Sequence, residues 1–121
     1  MKTQPKTQDM EREIERLKRQ ILRIGVLRPG NLSQQYNVCG KANCSCKADP
    51  PVKHGPYYQL SYSRKGKSST RFIQKHHVAT IQKELKNYAK LRELVDRWIS
   101  ASMQISDLKL KASRTRRSKK T

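Results

Sequence analysis

The chain has 121 residues, with hydrophobic types at 34% and aromatics at 6%, and its 28 Lys and Arg against 9 Asp and Glu give a net charge of +19. That length fits a single domain, and so lean an apolar content needs something besides packing to hold it together. A compact body this cationic repels itself, which excludes an indifferent surface and points to a polyanionic partner, nucleic acid first.

Residues 1–7, "MKTQPKT", are polar and without periodicity, and read as a disordered start. From Asp9 to Ile24 the apolar positions Met10, Ile14, Leu17, Ile21 and Ile24 recur at spacings of three and four, the stripe of an amphipathic helix. Thr7 or Asp9 is placed to cap it, and Gly25 to stop it. "LRPGNLSQQY", Leu27 to Tyr36, reads as a turn through Pro29-Gly30 followed by an extended approach to a cysteine cluster.

"CGKANCSCKADPPVKH" holds all three cysteines of the chain and one of its three histidines. Cys39, Cys44, Cys46 and His54 are separated by four, one and seven residues, and together make up a Cys3His set, a recognised closed structural zinc site. Three thiols can form only one disulfide with one left over, and Cys44 and Cys46 flank a single serine, so the set is a poor disulfide framework and a better metal framework. A one-residue gap is nevertheless less common in zinc modules and requires the backbone to twist between the two thiols. Buried, unliganded thiols are the plainer alternative. With four protein ligands no coordination position is left for water, so the expected Zn2+ is structural, and its binding would count as folding energy. His76 and His77, a hairpin away, are the substitutes for His54.

"DPPVKHGPYY" is a proline-rich loop. Beyond it "YYQLSYS" places Tyr58, Leu60 and Tyr62 on one face by alternation, "RKGK" turns at Gly66, and "SSTRFIQ" returns, giving a β-hairpin. Tyr58, Tyr62 and Phe72 are expected in the core, leaving Tyr57 as the exposed candidate for stacking on a base. From about His76 to Ser100 a second stripe runs through Ile81, Leu85, Tyr88, Leu91, Val95 and Trp98, widened by Leu94 and Ile99, and invites coiled-coil pairing with the first helix. The segment 108–121 ends in Arg114, Arg116, Arg117, Lys119 and Lys120 and is expected to be a disordered basic tail.

The expected fold is therefore α+β: N-terminal helix, Cys/His metal-pinned loop, β-hairpin, long C-terminal helix and basic tail, with residues 8–107 as one small zinc-stabilised domain. Candidate phosphate contacts are Lys41, Lys47, Arg64, Lys65, Lys67 and Arg71, together with the five cations of the tail; Arg64 or Arg71 could also fork onto a guanine. The acids assemble into no acid/base pair with a nucleophile, so no enzymatic activity is expected. No run approaches about eighteen apolar residues and no basic-then-apolar leader opens the chain, so no membrane is expected and the expected location is cytoplasmic.

The stretches "LRPGNLSQQYNVCGKANCSC", "HGPYYQLSYSRKGKSSTRFI" and "NYAKLRELV" resemble an uncharacterised family of short prokaryotic proteins, a domain of unknown function, over about residues 26–105. Members are often encoded beside transposases, so the resemblance implies an accessory or regulator of a mobile element. The function expected from charge and site is nucleic-acid binding, DNA in preference to RNA. The alternative is a helical interaction module that homodimerises or docks on a larger enzyme such as a transposase.

Overall fold

A computed structural model describes the backbone of residues 5–120 and the side chains of residues 6–113. The elements in chain order are helix α1 (Pro5–Leu22), strands β1 (Asn31–Asn37), β2 (His54–Arg64) and β3 (Lys67–Ile73), and helix α2 (Val78–Lys120), with short 3-10 turns at Ser45–Lys47 and Lys75–His77. The chain forms two compact units. One comprises the chain up to Gly25 together with the chain from Ala89 onward, and the other is Val26–Tyr88.

The helical unit is organised by two matching heptad seams. On α1, Thr7, Met10, Ile14, Leu17 and Ile21 alternate at spacings of three and four; on α2, Leu91, Leu94, Trp98, Ala101, Ile105 and Leu108 do the same, and every one of these is buried or half-buried. Leu17 is fully buried and Leu94 nearly so. At roughly 1.5–3 kcal/mol per buried large aliphatic side chain, these two dominate the packing energy of the pair. Beside the seam, Arg97 donates to Glu13 at 2.6 Å and the Lys18 ammonium sits 5.3 Å from the centre of the Trp98 ring. The guanidinium of Arg16, then that of Arg97, hold the Glu13 carboxyl below the usual carboxylate range.

Three expectations change here. The helix begins at Pro5, so residues 5–7 are helical and Thr7 is a buried seam residue, 4% exposed, rather than a cap. Proline suits a first helical turn, where its missing N–H costs nothing. Ile99 is half exposed and leaves the stripe, while Leu94 takes the buried place. The expected disordered segment from 108 is instead helical to Lys120, because Leu108 continues the seam and Leu, Lys, Ala and Arg are strong helix formers. Residues 1–4 and 121, and the side chains of Arg114, Arg116, Arg117, Lys119 and Lys120, lie outside the described residues.

The second unit is a three-stranded antiparallel sheet in the order β1-β2-β3 together with the first turns of α2. The stretch expected only as an extended approach to the cysteines is itself a strand, β1. It pairs with β2 from Asn31↔Ser61 to Gln35↔Tyr57, and after an irregularity Asn37 meets His54. β2 and β3 close on Lys65-Gly66, both with positive φ (53° and 79°), the geometry of a type I′ hairpin turn. One face carries Tyr58, Leu60 and Tyr62, of which Leu60 is fully buried; Ile81 of α2 is the other large buried aliphatic side chain of this unit. The loop before β1 is tied to α2 by the Arg28 amide on the Glu84 carbonyl at 3.3 Å and by the Asn87 side-chain amide on the Val26 carbonyl at 2.8 Å. Gly30 (φ 138°) passes so close to β2 that a Cβ would lie 2.9 Å from the Ser61 carbonyl oxygen, which fixes glycine there.

Candidate metal centre

The end of β1 and the start of β2 are neighbours, and the metal-ligand candidates sit where those strands leave the sheet. Between Gln35↔Tyr57 and Asn37↔His54, β2 spends three residue steps against two on β1. A bulge of this kind re-aims a side chain at a strand end. Gly55 makes it practicable: with φ 138°, a Cβ at this position would stand 2.7 Å from the Gln35 carbonyl oxygen. His54 is thus brought alongside the chain that continues from Asn37 through Val38 to Cys39.

Cys44 and Cys46 come from the connecting loop. Cys44 is extended (φ −81°, ψ 146°) and the 3-10 turn Ser45–Lys47 follows at once, so the backbone reverses between the two thiols. The turn is closed by the Lys47 amide on the Cys44 carbonyl at 3.0 Å and the Val52 amide on the Ser45 carbonyl at 3.0 Å. This reversal is how a one-residue gap can present two sulfurs to one point.

The result is a compact cluster: one ligand atom from each of Cys39, Cys44, Cys46 and His54, all within 4.8 Å of one another. Cys39 Sγ lies 3.6 Å from Cys46 Sγ, and Cys44 Sγ lies 3.1 Å from His54 Nε2. A disulfide needs about 2.05 Å. Two sulfurs held about 2.3 Å from a tetrahedral ion are separated by roughly 3.8 Å, so the short edges of the cluster already have coordination dimensions. The widest edge would close by about 1 Å around such an ion. The donor set therefore fits a metal ion, and its four members could hold one without a solvent ligand. The His76 and His77 rings lie against each other at a tilt of 43°, with centroids 4.0 Å apart, and do not belong to the cluster.

The electrostatics favour thiolates. The backbone amide of Cys46, then the neighbouring thiols, pull the Cys44 thiol down to about 6, and the backbone amide of Lys41 with His54 lowers that of Cys39. Cys46 goes the other way: the Cys39 amide donates to its sulfur at 3.3 Å and pulls it down, but burial and the adjacent sulfurs outweigh that and raise it. Hydrogen bonding to Cys39 and Cys44 raises His54. Three soft donors and an imidazole that share protons this closely are poised to exchange them for a cation.

The other candidates divide. Lys41 and Lys47 are exposed on the metal loop, Arg64, Lys65 and Lys67 are exposed at the hairpin tip, and Arg71 is exposed on β3. Tyr57 is 43% exposed, as its reading required, but Phe72, read as core, is 68% exposed. Phe72 is the cross-strand partner of Gln59 and so lies on the sheet face opposite Leu60. The signal was available: at two-residue spacing its companions on β3 are Thr70 and Ser68, a polar face. Among the described residues, no helix is long and apolar enough to cross a membrane.

Neither a curated protein nor a solved structure matches the chain. A family model does, over residues 7–83, beginning and ending earlier than the 26–105 read from motifs. With well over half of its length matched, including all four residues of the Cys/His cluster, the chain belongs to the family described as Domain of unknown function (DUF6788).

Proposed function

We propose that this protein is a non-enzymatic nucleic-acid-binding protein, DNA in preference to RNA, whose Cys3His cluster holds a structural Zn2+. The observation that carries the reading is the hairpin tip. Arg64 and Lys67 are direct cross-strand partners, and Lys65 sits between them at φ 53°. Like charges placed opposite each other destabilise a sheet, and a type I′ turn prefers Asn or Gly where Lys65 stands. The local sequence thus accepts two costs to concentrate three cations at an exposed point, and a polyanion relieves the first of them.

The rest of the unit supports this. Between Lys41 and Lys75 there are eight basic residues, all exposed, against one acid, Asp49. The three strands contain no acidic residue. The ion would pin the loop that carries Lys41, Lys47 and Lys53 to the base of the ribbon that carries the tip, so both patches become parts of one rigid surface. A role as accessory to a mobile element, acting beside a transposase, is the biological setting that the family resemblance implies.

The test is a salt titration of binding to random duplex and single-stranded DNA. If about seven cations meet phosphates, log affinity falls against log salt with a slope of roughly −6 on duplex and roughly −5 on a single strand. A slope near zero would sink the reading. The second reading, a helical interaction module, has its own observation: Ile99, Met103 and Leu110 are each at least half exposed on α2. Homodimerisation through them would appear as a mass that rises with concentration and falls back on Ile99→Glu.

A further inference from the structure

The sheet has a second face, opposite Leu60, and its two aromatic side chains converge on one recess. Tyr57 and Gln59 alternate onto this face of β2, and Phe72 is paired with Gln59, so the two rings are diagonal neighbours across the strands. With Val38, Asn37 and the ligands Cys39 and His54, they line a recess of about 410 Å³. Val38 is 52% exposed and Phe72 68%, a concentration of open apolar surface in so polar a unit. Between the rings the polar groups are already engaged: the Gln35 amide donates to the Gln59 side-chain oxygen, and the Ser33 hydroxyl to the Gln59 backbone carbonyl.

We infer that this face is a stacking platform for unpaired bases, so that the proposed nucleic-acid ligand is single-stranded DNA; the inference rests on that functional reading and narrows it. A duplex keeps its bases stacked on one another and offers nothing to Tyr57 or Phe72, whereas a single strand can lay a base on each ring. The charges suit it: Lys41 is two residues beyond Cys39, Lys53 directly precedes His54 and Lys75 is three residues beyond Phe72, all three exposed, and the strands are free of acids. Phosphates joining the stacked bases would meet cations near the walls of the recess and no carboxylate on the strands. The apolar lining from Val38 and Phe72 also favours thymine, whose C5-methyl group can be buried there, over uracil.

The experiment compares four labelled probes of about 16 nucleotides, the span of a single-strand module: oligothymidine, an abasic strand with the same phosphates, a duplex and oligouridine RNA. Oligothymidine is expected to bind at least tenfold more tightly than the abasic strand and the duplex. Tyr57→Ala and Phe72→Ala should each erase about five- to 150-fold of that advantage, while Phe72→Trp retains it; metal content equal to the parent protein shows that each variant is folded at the site. Equal binding of abasic and thymidine strands with a steep salt slope overturns the platform and leaves the nucleic-acid reading intact. Salt-insensitive or undetectable binding of every probe overturns both. Tighter binding of oligouridine than of oligothymidine overturns the assignment to DNA.

Discussion

Removing the metal should unfold one part of this molecule and spare another. In the Val26–Tyr88 unit the fully or largely buried side chains are Leu60, Cys46 and Ile81. The two aliphatic ones are worth roughly 3–6 kcal/mol together. A structural zinc ion contributes on the order of 10 kcal/mol at neutral pH. Such an ion would therefore outweigh the aliphatic core of its unit, and the sheet should not survive its loss. The helical unit has its own seam through Leu17, Leu94, Ala101 and Ile105 and contains none of the four candidate ligands. Hydrogen exchange read by mass spectrometry, on the full chain with and without a strong chelator, resolves the two. Amides of residues 31–37 and 54–73 should lose protection, while those of α1 and of α2 beyond Ala89 keep it. Metal analysis of the purified protein should give one ion per chain. A chelated protein that retains protection across the strands would refute the reasoning, since the cluster would then contribute nothing the sheet needs.

Other outcomes follow from the same geometry. Lys65→Asn should act in opposite directions on fold and binding: it removes a left-handed lysine and stabilises the hairpin by about 1 kcal/mol, yet flattens the salt slope by about 0.7 on single-stranded DNA and about 0.9 on duplex, to be checked by urea denaturation and salt titration. His54→Ala should release the metal and His76→Ala with His77→Ala should not, as judged by metal content after dialysis against a weak chelator. With the metal bound, Cys39, Cys44 and Cys46 should resist alkylation at neutral pH; once a chelator has removed it and the strands have unfolded, all three should react with the pH dependence of ordinary thiols. In the folded protein the sign is fixed by Cys44: its thiol is lowered to about 6, so it contributes fully above its unfolded range and that contribution is lost as pH falls through about 6, to be read as a lower urea midpoint in mild acid.

The helices and the cluster were legible because each rests on local spacing. Met10, Ile14, Leu17 and Ile21 announce a seam at intervals of three and four, and Cys39, Cys44, Cys46 and His54 announce a ligand set. What escaped depends on partners distant in sequence. β1, "NLSQQYN", has Leu32 and Tyr36 as its large non-polar side chains and is a strand because β2 offers an open edge. Phe72 was assigned to the core because it is apolar, but its face is set by its register against Gln59. The helical continuation beyond 108 was hidden by charge, which reads as a tail when the seam position Leu108 is given no weight.

A division of labour between charge and a bound metal would explain why the apolar content can be so low. A small sheet normally needs one face buried on a broad apolar layer and firm connections at its ends. Here the strand ends Asn37 and His54 lead straight into a cluster whose four donors are one imidazole and three thiols, so the ion would clamp the β1–β2 junction without drawing on aliphatic side chains. Leu60 then suffices at the middle of the buried face. Because the clamp sits at one end of the ribbon, the other end is free to carry Arg64, Lys65 and Lys67, and the opposite face to expose Tyr57 and Phe72. A larger hydrophobic core would have had to cover some of those positions. On this argument, replacing the cluster by a well-packed apolar plug should preserve DNA binding if the plug holds Asn37 against His54, and abolish it if the strand ends separate.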